Sequence, residues 1–331
     1  MFLDHVTMAR LDLLARHHVL RNPNMRADAI LTPGTGLWFS RQLESIVPTV
    51  YRTKTPPRNG LRLFGLDPTT AGEGHKSYTH RMYESLGKAS WINNYGDSLN
   101  RVSVAGKELN RPIKTFGSAY SYTIEDIMAA RLTSMPLDAE LARACRIANE
   151  EFLNDVLWFG DHEVGIWGVL SHPFIPRLVL AEPLTAAASS SDAIIATVNE
   201  FLNSIDEVTE TTAMAGVLLL PPAAYDYIAD TPRSATTDTT ILEFLIKKRS
   251  DAGMPLRVEK VWELAGAGTG GVDVIIAYPM DGRVVKHVVP IPFRQLPVQE
   301  VNLEYVINCI SKSGGFYTPY PLEMAIGELP A

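Results

Sequence analysis

The sequence has few cysteines and no long hydrophobic run. Its 331 residues include only two cysteines, Cys145 and Cys309, which match no metal-ligand spacing and cannot form a disulfide framework. Each lies among apolar neighbours, so we expect two buried thiols. No apolar run approaches the roughly 18 residues of a membrane span, and the first residues lack the basic-then-apolar pattern of a secretion signal. We therefore expect no membrane partner and no export from the cytoplasm.

The sequence also lacks the basic excess of a dedicated nucleic-acid-binding protein, because the net charge is −7 and the pI is about 5.7. The charge is unevenly distributed. Residues 52–114 contain eleven Lys or Arg and five acidic residues, a net charge of +6, so the rest of the chain carries −13. This segment is rich in Gly, Pro, Asn and Thr and has too few apolar residues for a core. We expect a solvated, extended excursion with short strands such as Leu61–Leu66 and Val102–Ala105.

A long amphipathic helix at 137–159 is the clearest element in the sequence. Apolar residues at steps of three and four predict one buried stripe. The stripe consists of Leu137, Leu141, Ala144, Cys145, Ala148, Phe152, Val156 and Phe159. We expect Ser134 to cap the helix and Gly160 to end it. A helix of this length spans roughly 35 Å, which suits a structural spine.

The remaining pattern predicts an α+β fold with mostly antiparallel strands. The expected elements are helices at about 194–205 and 239–249, and strands at 216–220, 256–264 and 272–278. A Gly-rich hairpin loop is expected to join the last two strands. The tail from Val284 to Leu329 contains five prolines, and we expect it to edge a sheet, since proline is tolerated on edge strands.

Four motifs have the form of chemical sites, and each has a simpler structural interpretation. Gly266–Gly271 contains G-x-G-x-x-G, but an expected strand follows it instead of the helix that would bind a pyrophosphate. His75 and His80 have no obvious third ligand for a metal. The side chains of Asp161–Glu163 and of Glu150–Glu151 are adjacent in sequence and point apart, so we interpret them as solvated charges. There is no Gly-x-Ser-x-Gly nucleophile motif. We expect no catalytic, cofactor-binding or metal-binding residues.

Several short segments between about residues 37 and 180 stand in a characteristic order. They are Leu37-Trp-Phe-Ser-Arg-Gln-Leu-Glu44, Gly87-Lys-Ala-Ser-Trp-Ile92, the stretch from Pro112 to Tyr122, Glu150-Glu-Phe-Leu-Asn154, Phe159-Gly-Asp161, and Gly165-Ile-Trp-Gly168 before Pro173. In this order they resemble the major capsid proteins of tailed bacteriophages, which have the Hong Kong 97-like fold.

The resemblance implies a division of the chain into four parts. Residues 1–36 would be an N-terminal arm and 52–112 an extended loop. A peripheral domain containing the long spine helix would use 37–51, 113–189 and 286–331, and an axial domain would fill 190–285.

The resemblance also implies a function. The protein would be a non-enzymatic coat protein that self-assembles as hexamers and pentamers into an icosahedral shell enclosing the phage genome. Its partners would be other copies of itself, with scaffolding, portal and decoration proteins as further candidates, and packaged double-stranded DNA by non-specific contact. It would reside in the virion, and in the host cytoplasm during assembly.

The basic segment is the candidate site of contact between subunits, because the acidic remainder of a neighbouring copy offers it a complementary surface. The candidate contact residues are Arg52, Lys54, Arg58, Arg62, Lys76, Arg81 and Lys88. Some members of the wider fold cross-link a loop lysine covalently to a neighbour's asparagine. Lys76 and Lys88 lie in the corresponding region, but no motif identifies a cross-linking pair and none is predicted.

Two other functions stay open. An encapsulin-type nanocompartment shell would have the same fold, and its contents would distinguish it from a virus capsid. A cytoplasmic enzyme would require polar residues from distant parts of the sequence to converge in a deep pocket.

Overall fold

The computed structural model describes residues 58–67, 70–88, 101–133, 137–186, 190–234 and 238–330. Contacts divide the chain into two units, Met1–Pro56 and Pro57–Ala331, and every described residue belongs to the second. The expected N-terminal arm, the 37–51 segment and the Ser134 cap lie outside the described residues.

Helices and strands alternate irregularly along the chain. The helices are α1 (Asn59–Leu63), α2 (Ile124–Thr133), α3 (Leu137–Trp158), α4 (Ser191–Val208), α5 (Pro222–Asp230) and α6 (Ile241–Asp251), with 3-10 turns at Trp262–Leu264 and Pro321–Glu323. The first strands are β1 (Leu66–Asp67), β2 (Ser77–Leu86), β3 (Ser103–Pro112), β4 (Lys114–Thr123), β5 (Gly160–Asp161), β6 (Ile166–Trp167), β7 (Arg177–Val179) and β8 (Val217–Leu220). The later strands are β9 (Arg257–Lys260), β10 (Val274–Tyr278), β11 (Lys286–Val288), β12 (Ile291–Gln295), β13 (Gln299–Val301), β14 (Glu304–Ser313), β15 (Gly315–Tyr317) and β16 (Ala325–Glu328). Across the described ranges, no helix has the length and apolar character needed to traverse a bilayer.

The long helix α3 has the expected extent, but the face that it buries only partly matches the predicted stripe. Its buried side chains are Cys145, Asn149, Leu153, Asn154, Val156, Leu157 and Trp158. Phe152 and Phe159, which the predicted stripe included, are 46% and 49% exposed. The predicted stripe is confirmed at Cys145 and Val156 and is wrong at Ala144, Ala148, Phe152 and Phe159. The buried face also includes two asparagines, which a count of apolar residues ignores. Gly160 ends the helix as expected, with a left-handed φ of 72°.

The main core lies on both faces of a five-stranded sheet in the order β7-β16-β10-β8-β9. Strands β8 and β10 are buried at every position, and successive side chains point to opposite faces. One face, which includes Leu218 and Ile275, packs on α4, α5 and α6. The other, which includes Leu219 and Ile276, packs with Phe64 and the end of α3. The sheet is therefore sandwiched between two apolar clusters.

The helix predicted at 194–205 is confirmed as α4, and its apolar residues Ile194, Ile195, Val198, Phe201, Leu202 and Ile205 are all buried. The helix predicted at 239–249 is confirmed as α6, which begins with a capping box between Thr240 and Glu243. The strand predicted at 216–220 is confirmed as β8.

Three local predictions are wrong. Residues 59–63 form α1 instead of a strand, and only Leu66–Asp67 pairs, in parallel with β11. Strands β9 and β10 do not form a hairpin, because β8 lies between them in the sheet. The tail does more than edge a sheet, because β14 and β16 each have strand neighbours on both sides. The last two outcomes depend on pairing between strands that are far apart in sequence, and local sequence patterns do not show such pairing.

A second layer is built on the antiparallel ladder of β4 and β14. Ten residue pairs run from Lys114↔Ser313 at one end to Thr123↔Glu304 at the other. The helix α3 packs on one face of this ladder, where Cys145, Cys309 and Ile307 form a small buried cluster. Both cysteines are free and buried, as expected.

Candidate functional site

A two-stranded hairpin of β2 and β3 extends from the second layer. Its strands pair from Ser77↔Pro112 to Leu86↔Ser103, and its connecting segment at 89–100 lies outside the described residues. Its far half exposes large apolar side chains: Met82, Tyr83, Leu86, Val102 and Val104. Tyr83 alone is 71% exposed. A two-stranded ribbon is marginally stable alone in water, so this half of the hairpin requires a packing partner.

Ion pairs within the subunit already hold three of the predicted contact residues. Arg81 Nε lies 2.7 Å from Glu108 Oε1 across the hairpin. Arg62 reaches Glu259 at 2.7 Å. Arg58 donates to Glu150 at 2.8 Å and to Glu151 at 2.9 Å. The two adjacent glutamates therefore share one guanidinium, and the prediction that they are separate solvated charges is wrong in this respect.

The other predicted contact residues lie on or beside the hairpin, or outside the described ranges. The Lys76 carbonyl accepts a hydrogen bond from the Ile113 N–H at 2.8 Å, which fixes the base of the hairpin. Lys88 is exposed beyond the end of β2, and Arg52 and Lys54 lie outside the described residues. A role of these residues between subunits stays a prediction.

A half-open pocket of about 270 Å³ lies where the inner face of the hairpin meets the body of the subunit. From the hairpin it is lined by His80, Met82, Lys107, Leu109 and Arg111, and from the body by Trp167, His172, Phe174, Thr318, Pro321 and Leu322. Alternation along β2 and β3 places the hairpin residues on one face. Sequence analysis missed this pocket because its walls come from four separate stretches of sequence.

Two cations give this pocket its charge. The Arg111 guanidinium lies over the Trp167 ring, and Lys107 Nζ lies 5.7 Å from the centroid of Phe174. Such cation–π contacts leave the positive charge uncompensated. Burial lowers the pKa of Arg111, and within the described ranges neither cation pairs with a carboxylate. The pocket is therefore apolar, aromatic and positively charged.

The two histidines of the pocket add no charge at neutral pH. Burial, followed by the charge of Arg111, lowers the pKa of His80 below its usual value of 6.5. Burial lowers the pKa of His172 to about 4, with smaller contributions from Arg111 and His80. Both rings are therefore neutral at pH 7, and the positive charge of the pocket comes from Lys107 and Arg111.

A second exposed surface lies at the far end of the β4–β14 ladder. We call residues 298–304, Val298-Gln-Glu-Val-Asn-Leu-Glu304, the acidic tip. It contains two glutamates and no basic residue. Leu303 is 71% exposed, and Val298 and Val301 are about half exposed. Asn302 makes the turn with a left-handed φ of 56°, so the tip presents apolar and acidic side chains together.

The motifs considered from the sequence have structural roles here. Gly266–Gly271 forms a loop that leads into β10, so no helix follows it to bind a phosphate. Asp161 accepts hydrogen bonds from the backbone N–H groups of Glu163 and Val164, which stabilises a turn. In the described portion of the chain, no group of three or more His, Cys, Asp or Glu side chains is placed to hold a metal ion.

Residues 87–326 match the family described as major capsid protein. No curated protein matches the chain.

Several solved structures have a similar fold. The capsid of Myoviridae phage XM1 matches with a TM-score of 0.76 and 14% identity, covering 89% of this chain and 100% of that chain. The capsid of an empty GTA particle matches with a TM-score of 0.58 and 9% identity, covering 88% and 96%. Mycobacterium phage Adephagia matches with a TM-score of 0.58 and 12% identity, covering 89% and 98%. The predicted α+β class and Hong Kong 97-like fold are confirmed.

Proposed function

Since this chain belongs to the major capsid protein family, which it matches over residues 87–326, we propose that it self-assembles as hexamers and pentamers into an icosahedral shell enclosing a phage genome. Family membership implies a structural role in the virion. Assembly in the host cytoplasm belongs to the proposal.

The observation that carries self-assembly is the exposed far half of the β2–β3 hairpin. Large apolar side chains such as Tyr83 and Val104 are exposed on a ribbon of only two strands. Exposed apolar patches on soluble proteins mark interaction surfaces. These side chains are exposed in the described part of the chain, and a neighbouring molecule that covers them would bury this apolar surface.

Charge supports a second copy as that molecule. Residues 76–88 and 101–114 carry seven Lys or Arg against two glutamates, whereas the chain as a whole carries −7. A basic hairpin therefore finds a complementary acidic surface on an identical neighbour. Because of screening at physiological ionic strength, this attraction weakens as the salt concentration rises.

The domain division fits the proposal with one refinement. Within the 52–112 range we place the extended loop at the β2–β3 hairpin, since α1 and Phe64 pack into the body of the subunit. We propose the other parts of the division as the resemblance implies them: the arm (1–36), the axial domain (190–285) and the peripheral segments. The strand β16 pairs with β10, so the end of the peripheral segment completes the axial sheet.

Further partners belong to the same proposal. Scaffolding, portal and decoration proteins are candidate partners, and the packaged double-stranded DNA would be touched non-specifically. A nanocompartment shell with the same fold is distinguished by its contents: nuclease-protected DNA indicates a capsid, and enclosed enzymes indicate a compartment.

The proposal is tested by negative-stain electron microscopy and light scattering of the purified full chain. We expect closed shells, or free hexamers and pentamers. A protein that stays monomeric or dimeric at high concentration, alone and when co-expressed with a scaffold, would contradict self-assembly.

Charge reversal tests the hairpin contact. The triple change Lys76→Glu, Lys88→Glu and Arg101→Glu, at exposed positions of the hairpin, should slow assembly and move its salt optimum, because it replaces attraction by repulsion. Lys247→Glu, an exposed position on α6, is the control for a charge reversal elsewhere. Unchanged assembly of the triple variant at every salt concentration would show that charge on the hairpin does not hold subunits together.

A further inference from the structure

We infer that the acidic tip of one subunit docks in the hairpin pocket of a second copy, with Leu303 as its apolar anchor. This inference rests on the proposed self-assembly and names one of its contacts. The pocket is the cavity lined by Lys107, Arg111, Trp167 and their neighbours.

The pocket and the tip lie at opposite ends of the β4–β14 ladder. Arg111 precedes the first pair of the β4–β14 ladder, Lys114↔Ser313, by three residues. Leu303 directly precedes Glu304 at the last pair. Ten residues of strand span about 30 Å. The tip of a subunit therefore cannot reach its own pocket, and contact between them requires two copies.

The two surfaces are complementary in charge and in polarity. Lys107 and Arg111 lie on aromatic rings with no carboxylate partner in the described ranges. Glu300 and Glu304 flank Leu303 with no basic residue between them. The 270 Å³ cavity has room for one large apolar side chain. In the docked arrangement, Leu303 fills the cavity as a desolvated apolar anchor. The two glutamates pair with the two cations of the pocket.

The tip is held in position before it binds. The Ile124 N–H donates a hydrogen bond to the Leu303 carbonyl at 3.2 Å, and β14 pairs with β13 on one side and with β4 on the other. Leu303 nevertheless remains 71% exposed. An apolar side chain presented on an ordered turn loses little conformational entropy on docking.

The contact is heterologous, since the pocket and the tip are different patches. Each subunit therefore binds one neighbour through its pocket and another through its tip. Heterologous contacts form closed rings when the rotation between copies closes, and open filaments when it does not. A shell of rings uses contacts of this kind, whereas an isolated two-fold dimer does not.

Disulfide trapping tests the contact in assembled particles. Cysteines are introduced as Leu303→Cys and Met82→Cys in one chain. Assembled particles are then treated with a small organic disulfide as the oxidant. The two protein thiols lose their hydrogens and form one S–S bond, and the reagent is reduced to two thiols. We expect a ladder above the monomer on denaturing gels without reductant. The two single variants and the pair Val179→Cys with Met82→Cys are the controls, since Val179 is 82% exposed on β7.

The outcomes separate this inference from the proposed function. Particles that form normally but give no ladder with the Leu303→Cys and Met82→Cys pair would overturn the docking and leave self-assembly intact. A ladder from Leu303→Cys alone would place the tips against each other and would also overturn it. Absence of any ring or shell from the unaltered chain would overturn self-assembly, and the docking with it.

A charge swap tests the same contact without a disulfide. Glu304→Lys and Lys107→Glu each place like charges together, and each should raise the protein concentration needed for assembly about tenfold. The double variant restores the pair with its signs exchanged and should recover most of this loss. Losses that simply add in the double variant would show that the two residues do not meet.

Discussion

The Asn154 side chain on α3 donates a hydrogen bond through Nδ2 to Glu263 Oε1 at 3.1 Å, joining the long helix to a turn 109 residues later in the chain. Its Oδ1 accepts a hydrogen bond from the Gly60 N–H, also at 3.1 Å. Both Asn154 and Glu263 are buried. One amide therefore connects α3, α1 and the turn after β9, so the body of the subunit depends on it.

We expect Asn154→Ala to destabilise the subunit by about 2–4 kcal/mol. The change leaves the Gly60 N–H and the buried Glu263 carboxylate without this partner, and it opens a cavity. The free energy of unfolding from urea titration of the unassembled chain measures the effect. Asn110→Ala, at an exposed position of β3, should stay within about 0.5 kcal/mol. Equal effects at both positions would contradict a structural role for Asn154.

The helices show how far the sequence determines the fold. The sequence predicts almost the whole buried face of α4, because every buried position except Thr197 is apolar. On α3 the apolar count selected Phe152, whereas the structure buries Asn149 and Asn154. Asn149 is buried because its Nδ2 donates to the Cys145 carbonyl and to Ser118 Oγ. Ser118 and Glu263, which lie far away in sequence, help to satisfy these amides, and periodicity alone does not identify such partners.

The corrected face of α3 gives a direct test with two neighbouring residues. Leu153 is 2% exposed, so Leu153→Ala should cost about 2–5 kcal/mol of unfolding free energy. Phe152 is 46% exposed and touches Phe116 with ring centroids 4.6 Å apart. Phe152→Ala should therefore cost about 1 kcal/mol, although phenylalanine is the larger side chain. Thermal and urea denaturation of both variants show which substitution lowers the unfolding free energy more. A larger loss for Phe152→Ala would support the buried face that was predicted from the sequence.

Two glycines, Gly315 in the strand β15 and Gly253 after α6, provide a matched pair of substitutions. Gly315 and Gly253 both have left-handed φ values, 76° and 77°. A Cβ atom at Gly315 would clash with the Ile166 side chain and lie 2.6 Å from the Trp167 carbonyl oxygen, whereas a Cβ at Gly253 meets nothing within 4 Å. We expect Gly253→Ala to cost about 1 kcal/mol through backbone strain alone. Gly315→Ala should cost clearly more, as measured by the shift in melting temperature. Equal shifts would mean that the neighbours of Gly315 move aside freely.

The candidate site was less predictable than the fold. The sequence located the basic hairpin through its charge and its low apolar content, and Trp167 lay within a segment that carried the family resemblance. It did not show that Arg111 stacks on Trp167, nor that Arg58 is held by Glu150 and Glu151. These contacts join residues 56 to 93 positions apart. Only the folded chain brings them together, and the position of each cation decides whether its charge remains available to a neighbouring subunit.

The buried ring of His287 should make the subunit sensitive to acid. His287 is fully buried, and its Nε2 lies 3.1 Å from Ser313 Oγ. Burial lowers its pKa from 6.5 to about 3, so the folded chain holds the ring neutral while the unfolded chain takes up a proton below about pH 6.5. The resulting stability is fully present above pH 6.5 and is lost as the pH falls from 6.5 to about 3, at about 1.4 kcal/mol per pH unit.

The change His287→Gln isolates this effect, because an amide can contact Ser313 but does not titrate. The unfolding free energy of the unassembled chain, measured by urea titration at pH 7, 6 and 5, should fall less steeply in this variant, by about 1.4 kcal/mol per pH unit. The pocket histidine His172, with its pKa lowered to about 4, adds a similar slope in both proteins, which cancels in the comparison. Identical slopes in the unaltered chain and His287→Gln would mean that His287 does not contribute to acid sensitivity.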